Sequence, residues 1–104
     1  MMIYEDLADY DFIRFEKSKK KFKKYDAVFE HKKTGKKKFI SFGALRENFE
    51  PYNQYKDTTS LGIYTKWDTN DLKRRKLYRT RHGKNDFHKV KYSPSWFSWN
   101  YLWK

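Results

Sequence analysis

YDAVFEHKKTGKKKFISFG, residues Tyr25 to Gly43, decides how this chain folds. Hydrophobic residues on both sides of a lysine-rich, glycine-containing centre spell two strands joined by a turn. A three-residue loop, Lys33 to Gly35, sets Phe29 opposite Phe39 and Val28 opposite Ile40, whereas moving the pairing by one sets Glu30 against Phe39. Gly35 then takes the left-handed position of a type I turn with a bulge, which glycine adopts without steric penalty. Apolar residues on both faces predict a hairpin covered on one side and partly covered on the other, with its charged tip in solvent.

Upstream, FIRFEK (Phe12 to Lys17) reads as one further short strand. Residues 1 to 13 carry four acids and no Lys or Arg, an acidic arm able to dock on the body. That body, residues 14 to 104, holds 25 bases against 9 acids, net +16. Downstream, Ala44 to Tyr64 has no clean period and reads as irregular, with one turn of helix around Ala44 to Asn48. The best helix signal is DTNDLKRRKLYRTRHG: Asp68 or Thr69 as N-cap, Asp71 in the first turn, Arg81 and His82 in the last, and Gly83 as the stop. Ser93 and Pro94 open a second, short helix to Trp103. The fold class is therefore α+β: a small antiparallel sheet, hairpin plus one strand, packed by two C-terminal helices, in a single small domain behind the arm.

Composition bounds the function. A chain of 104 residues buries only about 60 to 70 % of the surface its unfolded form exposes, and aromatics at 21 % must supply much of that core. Such aromatic content argues against disorder. The net charge of +12 repels itself and calls for an anionic partner. With no cysteine, disulfides and thiolate metal sites are excluded, and a reducing compartment fits. The longest apolar runs are a few residues, too short for a membrane span, and the acidic start MMIYEDLADYDF is no signal peptide, so the expectation is a soluble intracellular or packaged protein.

Lys73, Arg74, Arg75, Lys76, Arg79 and Arg81 surround the first helix, leaving Leu72, Leu77 and Tyr78 as its narrow packing stripe. The outward cations suit a phosphate backbone or an acidic protein surface. The lysine run Ser18 to Lys24, with Lys20, Lys21 and Lys24, and the hairpin tip add nonspecific positive field. His31, His82 and His88 lack the companions a zinc site needs and read as exposed turn-proximal residues. No phosphate loop, metal box or activated nucleophile stands out, so no enzyme, cofactor or metal is expected. Gly62-Ile63-Tyr64 matches the first half of the GIY-YIG nuclease signature, but KWDTNDLKRR follows where the second half belongs, and the match reads as chance.

The last segment, SPSWFSWNYLWK, is the most unusual. At 100° per residue its aromatics and Leu102 cover an arc of about 260°, while a terminal helix normally buries a stripe of about 100°. Either the chain's own aromatic loop, Phe49 to Trp67, wraps it, or Trp96, Trp99, Tyr101 and Trp103 enter a partner.

The ordered set Phe42-Gly43, Tyr55-Lys56-Asp57, Asn70-Asp71, Arg74-Arg75, Arg81-His82-Gly83, Ser93-Pro94 and Leu102-Trp103 resembles a family of small, basic, uncharacterised proteins of large nucleocytoplasmic DNA viruses of algae and protists. It covers about three quarters of the chain, from Tyr25 to Trp103. Two departures are the longer link ALRENFEPYNQ and Ser95 where the family has glycine. The resemblance implies no catalytic residue. It implies a virion protein made in the host cytoplasm or nucleus: a minor capsid or capsid-lining component that bridges other virion or capsid proteins, or alternatively a protein coating or compacting the genome through its basic helix and lysine blocks.

Overall fold

The structure is a computed structural model that describes residues 4 to 84 and 87 to 104, with side chains described from Leu7 onward. Residues 1 to 3 of the acidic arm, and the side chains of residues 4 to 6, thus lie outside the described residues. A 3-10 turn, Tyr4–Asp9, drops Leu7 into the core. Three antiparallel strands follow, in sheet order β1-β2-β3: β1 (Tyr10–Lys17), β2 (Lys23–His31) and β3 (Lys37–Ala44). The first strand starts two residues before the expected Phe12, so Tyr10 to Ile13 belong to the sheet and not to an arm.

Phe12 and Phe15 stand an odd number of positions apart, which in a regular strand would place them on opposite faces. The pairing of β1 with β2 slips between Phe12 and Arg14, and this bulge turns both rings to the same side. Both then meet Phe97, at 6.4 and 5.8 Å between ring centroids. On that face Tyr25, Ala27 and Phe29 of β2 and Ile40 and Phe42 of β3 are buried.

The hairpin register differs from the expected one. Val28 pairs with Phe39, Phe29 with Lys38 and Glu30 with Lys37. The loop has four residues, Lys32 to Gly35, because His31 N donates to Lys36 O at 2.8 Å and Gly35 N to His31 O at 3.0 Å. The His31 imidazole accepts from the Lys33 and Thr34 amides, both at 3.2 Å, and so stabilises the longer loop from inside. Gly35 does adopt a left-handed φ of 73°.

Beyond β3 the chain to Tyr64 is irregular, and the expected helical turn at Ala44 to Asn48 is absent. Helix α1 runs Leu72–His82 and α2 Pro94–Tyr101. Asp71, not Asp68 or Thr69, caps α1, accepting from the Lys73 and Arg74 amides at 2.9 and 3.3 Å. Asp68 instead accepts from Gln54 Nε2 at 2.8 Å and Asp57 N at 2.9 Å, tying the irregular segment together. Gly83 ends α1 with right-handed backbone, so a left-handed cap is not what stops it. Ser93 caps α2 by accepting from Trp96 N, as its sequence predicts.

Helix α2 lies on the sheet through Phe97, stacked on Phe42 at 5.2 Å and 20°. Its C-terminal carbonyls are received by the irregular segment: Leu102 O accepts from the Tyr55 and Lys56 amides, and Tyr101 O from Thr58 N. The chain's own loop therefore wraps the aromatic segment. Helix α1 in turn rests on α2 and its extension, with Tyr78 stacked on Trp103 at 4.4 Å and 4°.

Candidate functional site

The lysine run between β1 and β2 is a folded loop, held from below. Asp26, buried on the sheet face opposite Phe97, accepts from Ser18 Oγ at 2.6 Å and from Ser41 Oγ. The loop therefore folds back over that face, and Lys19 lies over the Phe39 ring at 5.7 Å. Holding one buried carboxylate under the loop leaves Lys17, Lys19, Lys20, Lys21 and Lys23 around a cleft of about 480 Å³. Its apolar walls are Phe22, Leu45, Phe49, Pro51, Tyr64 and Trp67.

A second cleft, about 520 Å³, opens on the other side of Lys23. It lies between α1, the start of α2 and the end of the hairpin. Lys23, Arg46, Arg74 and Arg81 supply its charge; Tyr52, Tyr78 and Trp103 supply its aromatic surface. Arg46 stacks on Tyr52 at 4.7 Å. Neither cleft has an Asp or Glu among its described lining residues. Two basic, aromatic-lined grooves thus adjoin at one lysine, with no Asp or Glu among their described lining residues, although Asp71 pairs with Arg74 and Asp26 lies buried beneath the lysine loop. The wider surface is similar: the described residues form ion pairs at Arg14–Glu16, Lys32–Asp11, Lys37–Glu30 and Arg74–Asp71, and all four are at least partly exposed. Exposed pairs of this kind contribute little to stability, and the net charge of +12 stands whatever the pairing.

The structure redistributes the cations expected at the surface. Lys20 and Lys21 line the first cleft, Arg74 and Arg81 the second, and Lys73 is exposed. Lys24 is a correction: it is 2 % exposed and donates through Nζ to Tyr52 O at 2.7 Å and Gln54 Oε1 at 2.8 Å. Burial lowers its pKa to about 8 despite the opposing pull of Asp57 and Asp68. Its stem also forms the floor beneath Gly43, where a Cβ would meet Lys24 carbons at 3.0 Å. Arg75 and Arg79 also turn inward. The Arg75 guanidinium lies over Tyr55 at 5.6 Å, and that of Arg79 over Trp99 at 4.6 Å, with Arg79 Nε donating to Trp103 O at 3.1 Å. Burial, reinforced by Arg75, lowers the Arg79 pKa.

The packing stripe of α1 is therefore Arg75, Tyr78, Arg79 and His82, while Leu72 and Leu77, expected to pack, are 66 % and 58 % exposed. The histidines expected in solvent are half-buried. His82 stacks on Tyr78 at 4.1 Å and His88 on Trp99 at 4.0 Å. Burial, then Arg81 and His88, lower the His82 pKa.

Trp96, Trp99, Tyr101 and Trp103 are all half-buried against this chain. Trp96 meets Tyr92, Trp99 is flanked by Arg79 and His88, Tyr101 meets Phe15 and Trp103 meets Tyr78. Tyr64, of the chance nuclease triplet, is a buried core residue against Tyr25 at 5.1 Å.

Sequence reasoning missed Phe22 and Arg46, and it placed Phe49 only in the loop expected to wrap the last helix, not at the first cleft. Phe22 and Phe49 both have positive φ, 65° and 66°, and their rings are stacked at 5.5 Å and 10°. The one signal in the sequence was Phe22 itself, an aromatic interrupting a lysine run at a turn. Comparison with family models, curated proteins and solved structures returns no match.

Proposed function

We propose that this chain is a non-enzymatic nucleic-acid-binding protein that holds a phosphate backbone in its two adjoining grooves. One observation carries the reading: the grooves meet at Lys23 with cations and aromatic rings on their walls and no described carboxylate between them. Proteins that track single or double strands combine a positive groove with aromatic surface, and their affinity falls as salt rises, because binding releases counterions. The described groups with displaced pKa values, Lys24, Tyr25, Tyr64, Tyr78, Arg79 and His82, are engaged in packing, ring stacking and hydrogen bonds, so the reading contains no catalytic step.

The test is titration of the full chain with labelled oligonucleotides over a range of salt. Micromolar or tighter binding is expected, with log K falling steeply against log salt. Arg74→Ala and Arg81→Ala should each lower the magnitude of that slope by about 1 for duplex DNA. A salt-independent affinity, or none, removes the proposal.

A second reading is favoured by the outer face of α1, where exposed Leu72 and Leu77 sit among Lys73, Arg74 and Lys76. A mixed apolar and cationic face suits an acidic protein surface. Together with the resemblance to proteins of large DNA viruses, it supports a minor capsid or capsid-lining component bridging other virion proteins. Fractionating a purified particle into shell and core separates the readings: the shell favours bridging and the core favours the genome.

A further inference from the structure

Among the described aromatic pairs, Phe22 and Phe49 are set apart by two facts together. Both rings sit on backbone of positive φ, where a bulky residue is a genuine outlier, and such strain persists only where the surroundings impose it, often at ligand sites. Here the surroundings do impose it. Leu45 N donates to Phe22 O at 2.9 Å, Phe49 N to Arg46 O at 2.8 Å, and Arg46 N to Glu50 O at 2.8 Å, fixing both turns. Yet the rings gain little shelter: Phe22 is 41 % and Phe49 58 % exposed. A pair serving the core alone would bury its faces. This pair lies nearly parallel, with its outer surface open at the lysine-lined cleft.

We infer that Phe22 and Phe49 form a stacking platform for an unpaired nucleobase, with the lysines of the β1–β2 loop holding its flanking phosphates, so that the protein prefers single-stranded nucleic acid to duplex. The inference rests on the nucleic-acid reading and names the strand it takes. A base in a duplex already has both faces covered by its neighbours, whereas an unpaired base has a free π-face to add to an existing ring stack. The charge agrees with a phosphate-bearing strand: Lys20, Lys21 and Lys23 border the cleft, and Glu47 and Glu50, neighbours of Phe49 in sequence, do not line it. Because stacking tolerates any base, little sequence preference is expected.

The experiment compares anisotropy titrations of the full chain, Phe49→Ala and Phe49→Leu with a single strand, the matching duplex and poly-glutamate at one salt concentration, with circular dichroism on each protein. Phe49→Leu keeps apolar surface but no π-face, and it carries the comparison if Phe49→Ala does not fold. The expected result is a loss of single-strand affinity of about 5- to 100-fold in both variants, with duplex affinity within about twofold of the parent. Unchanged single-strand affinity in folded variants overturns the platform while leaving the nucleic-acid reading in place. Poly-glutamate binding as tight as the single strand also overturns it, since charge alone would then suffice. If the parent binds neither strand, the proposed function fails and the platform fails with it.

Discussion

Lys24 carries its ammonium into the interior, and the pH dependence of stability follows from that. Its folded pKa of about 8 lies below the ordinary 10.5, so at neutral pH the buried charge is a penalty. As pH rises from 8 toward 10.5 the folded chain releases this proton before the unfolded chain does, and stability increases. Above pH 10 the sign reverses: burial raises the phenol pKa values of Tyr25 and Tyr78, with Asp57 adding to the effect at Tyr25. The unfolded state then ionises its tyrosines first. Thermal unfolding followed against pH should show a rise above pH 8, with a slope up to about 1.4 kcal/mol per pH unit, and a fall above pH 10. Lys24→Met should lose the rise and keep the fall, whatever its stability at pH 7. An unchanged rise in that variant would assign it to other groups. Burial of Lys24 had no sequence signature, because in SKKKFKK it is one lysine of a run and only the fold brings Gln54 and Tyr52 to it.

Among the elements, α1 shows how a helix can pack without an aliphatic stripe. Tyr78 lies between His82 and Trp103, so Tyr78→Ala should destabilise the chain by about 2 to 4 kcal/mol. Leu77→Ala, at an exposed position, should change stability by less than about 0.5 kcal/mol. Urea unfolding of the two variants checks this, and equal losses would mean that the leucine side packs. From sequence, Leu72 and Leu77 were the natural choice of stripe, since nothing in KRRKLYRTRH says which arginines will cover rings. Strands and helices were otherwise legible from alternation, the loop glycine, and Ser93-Pro94. The hairpin register was not, because His31 fills a four-residue loop from within, and neither was the bulge that unites Phe12 and Phe15. At the site, the lysines and Arg74 and Arg81 were visible as charge. Phe22, Phe49 and the inward turn of Arg75 and Arg79 were not, since each depends on a contact from a distant part of the chain.

At the scale of the whole molecule, charge is packed into a body with a radius of gyration of 14.0 Å. At roughly 0.01 M salt the screening length is about 30 Å, so every lysine repels every other; at about 0.15 M it is about 8 Å. Raising salt over that range should therefore stabilise the isolated chain, by about 1 kcal/mol, even as it weakens binding to a polyanion. Calorimetric melting at the two salt concentrations measures it, and a flat response would mean that intramolecular pairing already neutralises the field. Phe97 and Leu102, which close the core, come at the far end of the chain from the sheet they cover. During synthesis at roughly 5 to 20 residues per second, the sheet through Ala44 waits roughly 3 to 12 s for Leu102, its ring-lined face bare in the meantime. We therefore expect the nascent chain to be most prone to aggregation in that interval, so that slow codons between Ala44 and Pro94 should lower the soluble yield without changing one residue of the product.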